Sequence, residues 1–219
     1  MNRLLERAEM ELPVRYLVVP LLWILWCTFH STLVATTVTD YMRKKLGDQF
    51  RFYRLFYNTV SLVTLIPLIY YSNSIQQAPF FRWEGYLVIV RYLMIATSIF
   101  LFVTGARHYS MSQLFGIHQI KTGRANRAVS GYGTLDTSGI LSGIRHPWYT
   151  AGIILVWAND LSLSAFQINI VISAYFVIGT FLEEKKLLLE FGERYREYQR
   201  NVSMFFPYKW LKAKIAGVL

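Results

Sequence analysis

The sequence predicts an all-α protein that crosses a membrane about five times, with its last two spans forming a hairpin and further helices lying at the interface. Three observations predict this. Apolar residues make up 54% of the 219 positions and charged residues only 16%, against roughly 25% charged in a soluble domain. The charges that do occur sit between long apolar runs, as they do where lipid is the solvent. Lys and Arg are also shared unequally between the segments that join those runs. A chain of this length fits one integral-membrane domain, 1–219.

A span needs about 20 mostly apolar residues. Tyr16 to Val38 meets that plainly. Leu55 to Tyr71 is shorter but uncharged, and Tyr86 to Val103 carries one charge, Arg91, placed to pair internally or to snorkel. Pro147 to Trp157 is too short to cross without its flanks. It is followed closely by Ala165 to Leu182, so the two read as a tight hairpin with Asn159 and Asp160 at the tip. Beyond it, Leu187, Phe191, Tyr195, Tyr198 and Val202 recur at steps of four and three, with Lys186, Glu190, Arg194 and Glu197 facing away. That spacing predicts one amphipathic helix lying on protein or membrane.

Orientation follows from the basic residues. Segments 39–54 and 104–146 hold five each and 183–219 holds eight, whereas 1–15 holds three, 73–84 one and 158–164 none. Five spans with the N-terminus outside therefore place 18 basic residues on the cytoplasmic side and four outside, as the positive-inside rule requires. Residues 1–15 mix three Arg with three Glu and lead to no small-residue cleavage site, which reads against a removable signal. Leu4, Leu5, Ala8 and Leu12 share a face there, predicting a short interfacial helix. Gly131, Gly133 and Gly139 make 123–143 the most flexible stretch.

Composition also excludes functions. The net charge of +10 is distributed to suit an anionic membrane surface rather than nucleic acid, so membrane lipids are the expected partners. One cysteine, Cys27, excludes an intrachain disulfide and zinc-type clusters. No metal site is expected: His108 and His118 are ten apart, without ligand spacing. Gly131-Tyr132-Gly133 is an incomplete GxGxxG after no strand, and there is no Ser-His-Asp arrangement, P-loop or HExxH.

The chemistry gathers at the ends of the hairpin. Pro147 suits the first turn of a helix, which puts Arg145 and His146 beside free backbone N–H groups, where a carboxylate or phosphate is favoured. The same residues could anchor a span at headgroup level. Glu183 and Glu184 close the last span, either as acceptors for an ammonium or ribose or as the first solvated residues of a surface helix. The hairpin brings Arg145, His146, Tyr149, Glu183 and Glu184 to one level, a cationic and an anionic subsite side by side. His30, inside the first span, stands where an ionisable group is costly and functional by default; a neutral ring bonded to a hydroxyl is the structural alternative. Arg54, Tyr57 and Asn58 mark the start of the second span on the same side.

Residues 135–207 resemble the integral-membrane methyltransferases that include isoprenylcysteine carboxyl methyltransferase and the phospholipid methyltransferases. The resemblance rests on Arg145-His146-Pro147-x-Tyr149-x-x-Gly152, Glu183-Glu184, Phe191-Gly192-x-x-Tyr195-x-x-Tyr198, Val202 and Pro207. In 1–134, Phe29-His30-Ser31, Tyr53-Arg54-Leu55-Phe56-Tyr57-Asn58 and Leu114-Phe115-Gly116 are similar to the branch holding methanethiol S-methyltransferase and the NnrU-like proteins.

That resemblance implies S-adenosylmethionine as methyl donor, bound at the cytoplasmic end of the last two spans. Arg145, His146, Pro147 and Tyr149 would hold its methionyl end, Gly139 and Gly152 would allow close backbone approach, and Glu183 and Glu184 would take its ammonium or ribose hydroxyls. It implies a small apolar thiol or a lipidic acceptor near Arg54, Tyr57 and Asn58, with His30 or His146 assisting deprotonation of a thiol. Transfer is expected as an in-line displacement, in which alignment supplies about 7–11 kcal/mol of the barrier. The alternatives are an NADPH-dependent membrane reductase and a non-catalytic NnrU-like membrane protein or transporter. The oligomeric state is not written in the sequence.

Overall fold

A computed structural model describes residues 2–75, 77–123 and 134–217, with side chains from residue 16 onward. The helices are α1 (Asn2–Val34), α2 (Thr36–Leu46), α3 (Tyr53–Ser74), α4 (Leu87–Ala106), α5 (Met111–Leu114), α6 (Ile117–Thr122), α7 (Pro147–Trp157), α8 (Leu163–Phe191), α9 (Glu193–Asn201) and α10 (Tyr208–Ile215). The fold is all-α and polytopic, as predicted. Large apolar side chains such as Leu21, Leu25, Ile66, Ile89 and Leu93 are exposed along the long helices. An apolar surface on that scale is a lipid-facing one.

The predicted runs differ in how far each reaches. Among the described residues four stretches are long and apolar enough to cross unaided: Tyr16–Val34, Thr36–Ser74, Leu87–Ala106 and Leu163–Phe191. The fifth predicted run is α7, whose 11 residues cover about 16 Å at ~1.5 Å each, half of the roughly 30 Å hydrocarbon core. The α7–α8 hairpin is present all the same. Its tip meets the α3–α4 loop, where Phe80 N–H donates to Leu161 O (2.8 Å) and Leu161 N–H to Phe81 O (2.9 Å). Asp160 there accepts from Trp83 N–H at 3.1 Å and pairs with Arg91 at 3.8 Å, the internal partner expected for that charge.

Two other boundaries differ. The predicted run Tyr16–Val38 divides at Ala35, whose extended backbone (ψ 140°) ends α1 and starts α2. The carbonyls freed by that break are capped by side chains: Tyr53 Oη donates to Leu33 O (2.9 Å) and Lys186 Nζ to Val34 O (3.1 Å). The predicted amphipathic helix from Leu187 is also two pieces, because α8 runs to Phe191 and stops at Gly192, with φ at +57°. Only glycine adopts that backbone cheaply. Residues 2–15 are helical and continuous with the first span rather than a separate interfacial helix. Of the stretch expected to be flexible, 124–133, including Gly131 and Gly133, lie outside the described residues. Residues 134–143 include a helical turn over Gly139–Ser142.

The long helices and α7 pack as a row, α3–α1–α8–α7–α4. One core joins α1, α3 and α8 through Val19, Trp23, Leu68 and Ile172; the other joins α4 to α7 and the turn before it through Leu101, Ile144 and Ala151. Polar ties suited to a lipid setting reinforce both: Trp23 Nε1 to Ser72 Oγ and Trp26 Nε1 to Thr64 Oγ1 (each 3.0 Å), and Ser98 Oγ to Ala151 O (2.8 Å). The two ends of the row, α3 and α4, share no extensive interface among the described residues. Between the two cores lies the site.

Candidate functional site

The motif at the foot of α7 is held by the chain that follows α9. Arg145 N–H donates to Ser203 O (2.9 Å) and His146 N–H to Met204 O (3.2 Å), while Tyr198 Oη donates to Leu141 O (2.6 Å). Pro147 stands at the first turn of α7, as predicted. Side chains then converge on Glu184. Arg145 reaches Glu184 Oε1 through Nε and Nη2, each at 2.7 Å, and His146 Nε2 lies 3.0 Å from the same oxygen. Tyr195 Oη donates to Oε1 (3.3 Å) and Gln199 Nε2 to Oε2 (2.7 Å). Arg145 Nη1 donates to the carbonyls of Gln199 (3.2 Å) and Val202.

Arg145, His146 and Glu184 are all buried, so the Arg145 and Glu184 charges are satisfied by each other, by α9 and by the turn after it. The cationic and anionic subsites read from sequence are in part a single ion pair. Burial and the neighbouring Glu184 carboxylate push the Tyr195 phenol far above its ordinary range, keeping it a hydrogen-bond donor.

In front of this cluster is a cavity of about 630 Å³, within the usual ~300–1,000 Å³ of small-molecule sites. All five packed helices contribute to its wall: His30 from α1, Tyr57 from α3, Phe102 from α4, Tyr149 from α7 and Phe176 from α8, so the row curls around it. Glu183 is the one carboxylate on the wall among the described residues. Tyr149 lines the same wall beside it, and His146 Nδ1 lies 4.0 Å away. Tyr109 also faces Glu183; burial first, then that carboxylate, drive its phenol pKa well upward.

At the other end His30 Nδ1 is 2.7 Å from Ser61 Oγ, the ring stacks on Trp26 at 5.4 Å, and Tyr175 meets it edge-on at 6.3 Å. The hydroxyl partner matches the structural alternative read from sequence, yet the ring also lines the cavity. Among the described residues its Nε2 has no hydrogen-bond partner.

Of the residues singled out from sequence, the cavity wall therefore gathers His30, Arg54, Tyr57, Tyr149 and Glu183. Arg145, His146, Pro147 and Glu184 stand behind it. Gly152 abuts Phe176 so closely that a Cβ would lie 2.6 Å from that ring, and Gly139 faces His108; both serve packing. Asn58 Nδ2 donates to Leu114 O (2.9 Å), tying α3 to α5. Sequence reasoning left Tyr109, Tyr175, Phe176 and Lys186 unassigned. The aromatics sit in stretches with no distinguishing pattern. Lys186 was placed on the outer face of a helix that begins at 187, whereas α8 sets its direction and turns it inward.

Comparison with known proteins adds a family. Over 97 residues the chain is 35% identical to methanethiol S-methyltransferase of Pseudomonas deceptionensis, covering 43% of this chain and 36% of that one. It is 29% identical over 122 residues to methanethiol S-methyltransferase 1 of Bradyrhizobium diazoefficiens (54% and 39%). Against methanethiol S-methyltransferase of Mycobacterium tuberculosis it is 28% identical over 98 residues (44% and 39%). The matched stretches thus span less than two fifths of these relatives' own length. No solved structure matches the chain. Residues 18–178 match the family described as NnrU protein, most of the sequence, and the chain belongs to that family.

Proposed function

We propose that the protein is a membrane methyltransferase that moves a methyl group from S-adenosylmethionine to a small apolar thiol, in a site on the cytoplasmic side. The observation that carries the reading is the cavity: an apolar, aromatic-walled chamber with one carboxylate at its cytoplasmic end and one histidine at depth. The names of the relatives support a thiol acceptor over a lipidic one. The count of basic residues supports the orientation, with the N-terminus outside and the C-terminus inside.

The wall fits this donor. Bound there, it supplies an electrophilic methyl group on a sulfonium. Tyr109, Trp148 and Tyr149 offer aromatic faces to a cation, an attraction worth roughly 0.5–2 kcal/mol. Glu183, beside Tyr149 on the wall, presents an anionic acceptor for an ammonium. Arg145, His146 and Glu184 act as positioning residues that fix the foot of α7 against α8 and so fix Tyr149 relative to Glu183. His30 serves the acceptor. When Ser61 Oγ accepts from Nδ1–H, Nε2 carries the lone pair that takes the thiol proton; which tautomer is present is set by that bond.

Calorimetric titration of the purified protein with S-adenosylmethionine, S-adenosylhomocysteine and NADPH tests the donor. Binding of the two adenosyl ligands without NADPH is expected. NADPH binding alone would move the protein to the reductases, and silence from all three in folded protein would leave a non-catalytic member of the family.

A further inference from the structure

With Arg145 and Glu184 committed to each other, the charges that remain at the cytoplasmic end of the cavity are different ones. Lys186 lies three residues beyond Glu183 on α8, so the two share a helix face. Arg54 comes across from α3, near enough for the two cations to repel. Glu183, Arg54 and Lys186 all line the cavity, together with the exposed Lys185. Arg54 donates once, from Nη1 to Gln113 O (2.9 Å), and Lys186 once, to Val34 O (3.1 Å). Neither has a carboxylate at ion-pair distance among the described residues. A guanidinium has five N–H donors and an ammonium three, so most of this donor capacity has no acceptor among the described residues. Two like charges facing an apolar chamber repel one another until an anion lies between them. Three residues along the helix, Glu183 has the opposite need.

We propose that this end of the cavity is a receptor for a zwitterionic α-amino-acid group, with Glu183 taking the ammonium and the Arg54–Lys186 pair taking the carboxylate. The assignment rests on the donor reading above and relocates the methionyl end, away from Arg145 and Glu184 and onto residues from α3 and α8. The same zwitterion could be carried by an amino-acid thiol acting as acceptor, and the experiment separates the two sources.

Full-length protein in detergent is titrated with three ligands. S-adenosylhomocysteine carries both charges, its decarboxylated counterpart 5′-deoxy-5′-(3-aminopropylthio)adenosine only the ammonium, and 5′-methylthioadenosine neither. Charge-assisted hydrogen bonds of this kind predict that the first binds at least about tenfold more tightly than the second. Lys186→Met and Arg54→Met should each shrink that ratio to about twofold or less while the aminopropyl compound binds as before. Glu183→Gln should weaken both amines and leave 5′-methylthioadenosine unchanged. Arg54 also ties α5, so Lys186→Met, which frees only one carbonyl, guards against a folding artefact.

A wild-type ratio that survives both cation substitutions overturns the receptor, as does an equal loss of all three ligands. If none of the three binds folded wild-type protein, the donor reading falls and takes the receptor with it. If the first two bind wild type equally, the donor reading stands and turnover decides the rest. A preference for homocysteine over methanethiol, lost in Lys186→Met, assigns the receptor to the acceptor, and no such preference removes it.

Discussion

Glu184→Ala exposes what the motif is for. Sequence alone gives the expectation that this variant loses donor binding and stays folded; the structure changes that. Glu184 is 5% exposed, and its carboxylate accepts from Arg145, Gln199 and Tyr195, with His146 Nε2 at 3.0 Å. Removing it leaves the Arg145 guanidinium buried with only the Gln199 and Val202 carbonyls. Breaking a buried ion pair from one side costs about 3–5 kcal/mol, and α9 loses two of the bonds that hold it to α8. For a chain of this size 1 kcal/mol moves the melting temperature by about 2–4 °C, so a fall of roughly 6–20 °C is expected. Intrinsic tryptophan fluorescence on heating the detergent-purified protein measures it. The double variant Arg145→Met/Glu184→Met removes both charges together and should recover most of the loss. A melting temperature within about 2 °C of wild type for Glu184→Ala, with donor binding abolished, would refute the structural role and return the residue to the ligand.

Three further outcomes are expected. His30→Gln should cut thiol turnover by about 10²-fold or more, the usual scale for a proton acceptor, while donor affinity measured by calorimetry stays within about twofold; equal loss of both would make His30 structural. Gly152→Ala places a Cβ 2.6 Å from the Phe176 ring, and because Phe176 packs on Tyr149 at 5.8 Å it should cost about 1–3 kcal/mol and weaken donor binding as well; an unchanged melting curve counts against it. Asp136 accepts from His108 and Ser138, and the His108 bond first among these lowers its carboxyl pKa to about 2. A depressed carboxylate stabilises the fold above its unfolded pKa of about 3.9, and that contribution is lost as pH falls toward the folded value. Asp136→Asn should therefore be less stable than wild type by about 1 kcal/mol or less at pH 5 and converge with it near pH 2. A gap that stays constant across that range in thermal melts would show that the carboxylate's charge is not the cause.

The architecture was legible because lipid imposes long apolar runs and sorts basic residues by side. The hairpin was legible too, since Pro147 marks a helix start and Asn159-Asp160 a polar tip. The shortness of α7 was visible, but its consequence was not: the α3–α4 loop folds down to meet it at Leu161, a pairing between segments far apart in sequence. The break at Ala35 carries no Pro or Gly signal and depends on Tyr53 and Lys186 capping its carbonyls from other helices. At the site, residue types picked out side chains that the fold gathers at one level, but not the pairing among them. Spacing shows that Arg145 and Glu184 can meet at one level; only packing shows that they neutralise each other and leave Arg54, Lys186 and Glu183 facing the cavity. Lys186 was hidden for the same reason, because its direction is fixed by where α8 began, at Leu163.

The seam between α3 and α4 has a consequence for the direction of the proposed reaction. The seam is bridged at one end by Arg54 and Asn58 reaching the α5 carbonyls and at the other by the loop that pairs with Leu161. Methylating a thiol replaces a weakly acidic S–H with a carbon, and each added methylene-sized group favours an apolar phase by about 0.8 kcal/mol, near fourfold in partition. A thioether released along that seam dissolves in the bilayer more readily than the thiol that arrived, and it has no proton to lose that would hold it in water. On the proposed function the membrane would act as an extraction solvent, drawing product away from the chamber.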